Sequence, residues 1–135
     1  MEFKISDSLK KLIKQYFSID FDEFKIKKIN HYNQSYKFIF TNNISYIRIV
    51  FNEKYILSID FFKDISSFYN CLLNDSDKAL MYNENFNKID IFENGMLKDT
   101  ISSKSYDFSI DIALAIFLKI SNFQELKREV NENEI

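Results

Sequence analysis

From Phe24 to Ile59 apolar side chains recur at nearly every second position, and only an extended strand keeps such residues on one face. The chain holds one glycine and no proline. Its reversals therefore rest on Asn and Asp, which tolerate left-handed backbone and bond to their own main chain. Turn spacing sets the register, and a slip of one residue would turn every side chain to the wrong face. Pairing 34–41 with 44–51 through Asn42-Asn43 sets Tyr36, Phe38 and Phe40 beside Ile47, Ile49 and Phe51. A five-residue loop, Ile29 to Asn33, joins 24–28 to 34–38 and adds Phe24 and Ile26. A third loop, Asn52-Glu53-Lys54, brings in Tyr55, Leu57 and Ile59. Four antiparallel strands then share one apolar face, and the agreement of three loops outweighs the propensity of any single strand.

Helical periodicity frames this stretch. Leu9, Leu12, Ile13, Tyr16 and Phe17 mark one stripe, Lys10, Lys11 and Lys14 lie opposite, and Ser6 or Asp7 caps the start. A second helix is expected over 61–73, with Phe61, Ile65, Phe68 and Leu72 on its stripe and Asp60 as N-cap. A short element is expected at 79–82. Asn94-Gly95 then signals a hairpin, where a three-residue loop, Glu93-Asn94-Gly95, pairs Asp90 with Lys98. The segment from Asp107, apolar nearly all round between Ile110 and Leu118, reads as a buried helix that breaks near Ser121. The expected fold is α+β. One domain over 1–135, fraying at 131–135, holds a four-stranded antiparallel meander packed by helices on one face. A hairpin and a buried C-terminal helix follow, in the order α-ββββ-α-ββ-α.

Composition narrows the chemistry. Ile, Lys, Phe, Asn and Tyr supply 73 of 135 residues, and all five have A/T-rich codons, so coding bias explains most of the skew. A single glycine excludes a glycine-cradled phosphate loop. One Cys and one His exclude a protein-only structural zinc site and a disulfide framework. Cys71 falls beside a helical stripe, as a small buried hydrophobe does, and His31 falls in a loop, so no nucleophile–base pair is assigned. Asp75 and Asp77 begin like a calcium loop, but Leu80 and Phe86 stand where that loop needs Gly and Glu. Asp107 and Asp111 suit the N-terminal end of a helix dipole. No catalytic, cofactor or metal residues are expected, and the protein is read as a non-enzyme. The N-terminus lacks the apolar core of a signal peptide, and the longest apolar run, Ile112 to Leu118, is too short for a membrane span. With a lone cysteine, a cytoplasmic location follows.

Charge is sorted along the chain more than its net −2 suggests. Residues 1–58 carry 10 basic and 6 acidic groups, whereas 59–135 carry 8 and 14. Between Glu23 and Glu53 there is no acidic residue, while Lys25, Lys27, Lys28, His31, Lys37 and Arg48 are present. The strand register sets Lys25, Lys27, Lys37 and Arg48 on the face opposite the apolar one, with Tyr46 among them. It places Lys25 directly across from Lys37, and Asp60 near Tyr46 and Arg48 as the local counter-charge. Such a face is simple solvated surface, a docking surface with Tyr46 and Arg48 as anchors, or a track for a phosphate backbone with Tyr46 and Tyr32 stacking on bases.

In general character the chain resembles the small accessory proteins of phages and mobile elements in A/T-rich bacteria, a likeness of style that covers no alignable residues. Such a likeness implies a protein that inhibits or neutralises a larger protein or complex by occluding its working surface. An inhibitor of a bacterial nucleic-acid-targeting defence complex such as CRISPR-Cas is the concrete version. A toxin-immunity protein is the alternative. A nucleic-acid-binding module using the basic face is a further one, opposed by two arginines and a pI near 5.4. The sequence does not set the oligomeric state.

Overall fold

The computed structural model describes residues 3–32, 35–64, 76–111 and 114. Ser6 caps the helix α1 (Asp7–Phe17), its hydroxyl accepting from the Leu9 amide at 3.2 Å. Ser18 ends it in left-handed backbone, with its amide returning to the Lys14 carbonyl. Leu9, Leu12, Ile13 and Phe17 face inward as the 3.6-residue period requires. A single 3₁₀ turn, Phe21–Glu23, leads into the sheet and is tied to α1 by a 2.9 Å ion pair between Lys10 and Asp22.

Among the described residues seven strands follow in one antiparallel meander, each bonded to its sequence neighbours: β1 (Lys25–Tyr32), β2 (Ser35–Thr41), β3 (Tyr46–Phe51), β4 (Ile56–Phe62), β5 (Lys78–Asn83), β6 (Lys88–Glu93) and β7 (Met96–Ser102). This corrects the expected four-stranded meander with three helices. The stretch 79–82 lies within β5, which pairs with β4 on one side and β6 on the other. The hairpin expected to stand apart is therefore the end of the same sheet. The helix expected from Phe61 does not start there, because β4 continues through Phe62. Phe61 faces α1, where Phe17 stacks on it at 5.5 Å, and Phe62 faces the other way. Asp60 is consequently a strand residue and not an N-cap. The remainder of that expected helix, at 65–73, lies outside the described residues. So does the C-terminal helix beyond 111, except for Leu114, which is helical and buried.

The core lies between α1 and one face of the sheet. Phe3 packs its ring against Phe38, Phe40 and Phe51 at centroid distances of 5.2, 5.5 and 5.4 Å. Phe38, Ile47, Ile49, Phe51, Ile59, Leu80 and Ile89 complete the buried face. These are the side chains that the two-residue alternation set together, with β5 and β6 added. The segment after β7 closes the far end. Phe108 stacks on Tyr82 at 4.4 Å, and its carbonyl accepts from the Ile56 amide at 2.7 Å.

Every expected loop length changes. Tyr32 pairs with Ser35, so β1 and β2 are joined by residues 33–34 rather than by five. Lys25 accordingly stands across from Thr41, and Asn30, not Lys25, faces Lys37. β2 and β3 are joined by four residues rather than two. There Asn42 Oδ1 accepts from the amides of Ile44 and Ser45 at 3.0 and 2.7 Å, and Asn43 adopts φ 75°. That shift of two residues keeps every side chain on its expected face. At the next turn, a bulge pairs Phe51 with Ile56, leaving Leu57 as the extra residue, while Tyr55 bridges to Ser109 instead. The Asn94-Gly95 turn has two residues, with both at positive φ, as a type I′ turn requires. A bulge at Lys98 then sets Asp90 across from Thr100, whose hydroxyl donates to it at 2.9 Å, so the expected Asp90–Lys98 pair does not form.

Candidate functional site

The sheet face turned away from α1 carries the basic residues singled out from the sequence. Its composition follows from the same alternation that builds the core, with one departure. β1 bulges between Ile26 and Lys28, so Ile26 and Ile29 both reach the α1 side, Ile29 fully buried in the core and Ile26 packed against it. The extra residue, Lys27, thus turns Lys28 outward, across from Ile39. Lys25, Lys28 and Lys37 are exposed and make no ion pair among the described residues. Lys27 is half-buried, its Nζ 5.4 Å from the Tyr46 ring centroid.

Tyr46 and Arg48 lie on this face but are covered rather than projecting. Tyr46 is only 7% exposed and forms a second small core with Ile39 and Phe62. Arg48 lies across from Asp60, donating from Nε to Oδ2 at 3.0 Å, with its guanidinium carbon 5.4 Å from the Phe62 ring centroid. The guanidinium is thus already neutralised and packed, which is a poor starting point for a projecting anchor. Asp60 was expected near both residues, and it is the direct cross-strand partner of Arg48. Burial pushes the Asp60 carboxyl above its ordinary value. The charge and hydrogen bond of Arg48 oppose that shift, as do long contacts from Ser76 and Ser58 at 3.4 and 3.5 Å. The free positive charge therefore sits on β1 and β2, while the centre of the face is a closed ion pair.

Lys28 is the residue that sequence reasoning left out of the face. The pattern held a clue, because an unbroken alternation through Lys28 would have put Ile29 in water. At the other end of the face, Met81 and Leu97 are 48% and 57% exposed beside half-buried Phe92. No periodicity marked them, since their strands were not expected to extend this sheet.

The other candidate groups have structural work. His31 is exposed on β1 and stacks on Tyr36 at 4.5 Å, so it is a strand residue rather than a loop residue. Asp77 accepts from the Lys63 amide at 2.8 Å, and its own amide reaches the Phe61 carbonyl at 2.9 Å, pinning the start of β5 to the end of β4. Asp107 accepts from the Ser109 amide and hydroxyl, and Asp111 from the Leu114 amide. Cys71 lies outside the described residues. Among the described residues no three His, Cys, Asp or Glu side chains gather as a metal site, and no helix is long and apolar enough to cross a membrane. Compared with known proteins, the chain matches no protein-family model, no curated protein and no solved structure.

Proposed function

We propose that this chain is a non-enzymatic binding protein that uses β1 and β2 to cover an acidic surface on a larger protein partner, in the cytoplasm. The observation that supports the reading is the lysine array. Lys25, Lys28 and Lys37 project from the outermost two strands, beside half-buried Lys27, in a stretch of sequence with no carboxylate from residue 24 to 52. Like charges gathered on neighbouring strands cost stability on their own and gain from a negative partner. A nucleic-acid groove fits less well, because Tyr46, the aromatic best placed to stack on bases, is buried under Lys27.

Occlusion of a working surface is the simplest consequence of such docking. A defence inhibitor and a toxin-neutralising protein are two roles of that kind. Affinity capture from the native host with mass spectrometry, using wild type and Lys25→Glu/Lys28→Glu/Lys37→Glu in parallel, tests the reading. The wild type is expected to retain a protein with an acidic surface that the triple variant loses. Equal capture by both, or salt-sensitive binding of oligonucleotides in place of a protein, would overturn it.

A further inference from the structure

We propose that the free edge of β1 takes an extended acidic segment of the partner as an eighth strand. This inference rests on the reading above and specifies the form in which the acidic partner docks. β1 is terminal in the strand order, so among the described residues one side of its backbone has no strand beside it. From Lys25 to Asn30 no hydrogen bond within the described structure occupies that side. A row of unpaired amides and carbonyls is a template for another strand, which gains main-chain bonds along its length.

Among the described residues the sheet has a second edge at β7, and charge separates the two. β7 carries Lys98 next to Asp99, which offset each other, whereas β1 carries Lys25, Lys27 and Lys28 with no acidic residue. Two β1 edges brought together would set lysine against lysine, so the edge is protected from its own copies. The same lysines select an incoming strand with carboxylates. Beyond the bulge, pairing with β2 is regular from Lys28 onward, so the backbone of β1 runs evenly through Asn30. Acidic residues at alternate positions of the added strand would share a face with Lys28 and Lys37. The residues between them would lie on the side of Ile29 and His31.

NMR titration of the full-length chain with the peptide Thr-Glu-Val-Glu-Thr-Glu-Val tests this. Its partners are the same peptide with Lys for Glu, and two versions N-methylated at alternate amides, one in each phase. Shift changes and slowed amide exchange are expected along 25–32, with no binding of the lysine peptide. At least one N-methylated version should bind about tenfold more weakly, because it cannot complete the ladder. Lys28→Glu/Lys37→Glu, checked for a wild-type spectrum, should weaken binding about tenfold as well. Full affinity of both N-methylated peptides, or shifts that map away from β1, would overturn the added strand while leaving acidic docking on the face intact. Failure of the acidic peptide to bind at millimolar concentration would also overturn it, and host capture then judges the broader reading separately.

Discussion

Arg48 and Asp60 show how much a single cross-strand pair decides on a half-covered face. The two groups meet at 3.0 Å, with side-chain exposures of 17% and 9%, so neither is hydrated well enough to stand alone. Arg48→Met leaves a buried carboxylate without its cation, and a loss of about 3–5 kcal/mol is expected in urea denaturation. Arg48→Met/Asp60→Leu should recover most of that loss, since an apolar pair of similar volume avoids desolvation altogether. The pH dependence carries its own sign. Because burial raises the Asp60 pKa in the folded state, its contribution is fully present below the unfolded carboxylate's ordinary 3.8. That contribution is lost as pH rises through the higher folded value. The double variant lacks the carboxyl, so wild type should lose ground to it as pH rises through that window. A difference in denaturation midpoint that stays constant across the window would rule this out.

At the scale of elements, asparagine does the work that glycine and proline do in other meanders. Asn42 and Asn52 each accept from two backbone amides in their turns, Asn52 from Lys54 and Tyr55 at 2.8 Å. Asn52→Ala should cost about 1–3 kcal/mol by leaving those amides without an acceptor, and Asn52→Asp should restore most of it. Thermal unfolding of the three proteins checks the order. An alanine variant as stable as wild type would show that the turn holds without its side chain. These turns also explain which registers were legible in the sequence. Alternation reports the face of a residue but not its partner, so the four-residue turn at 42–45 is indistinguishable from a two-residue one. Bulges are different, because each reverses the faces beyond it. The one in β1 is written into the adjacent pair Lys28-Ile29, where a polar residue occupies a core phase. The Lys98 bulge leaves no such mark, and cross-strand charge matching pointed to the wrong partner there.

At the scale of the whole molecule, the lysines of β1 and β2 and the core behind them are separable. The exposed lysines pair with nothing among the described residues, so reversing Lys25, Lys28 and Lys37 together should change stability by no more than about 1 kcal/mol. Thermal unfolding of the triple variant checks this, and a large loss would assign the lysines to the fold instead of a partner. By contrast, Phe3 joins Phe38, Phe40 and Phe51 beneath α1, so Phe3→Ala should cost about 3–5 kcal/mol in denaturant unfolding.

By itself the sequence determined α1, the strand character of 24–59, the apolar face those strands share and the sorting of charge onto the other. All four are local or periodic properties, readable wherever side chains repeat at 3.6 or 2 residues. Only the tertiary structure decided that β4 runs on through Phe62, that β5 carries the meander into the hairpin, and that the Arg48–Asp60 pair is largely buried. Those outcomes depend on which strand lies alongside, and the β4–β5 partners lie up to 23 residues apart in sequence. Neighbouring strands can satisfy a Phe61-Phe62 pair on both faces at once, whereas a helical stripe read from the chain alone has no way to register them.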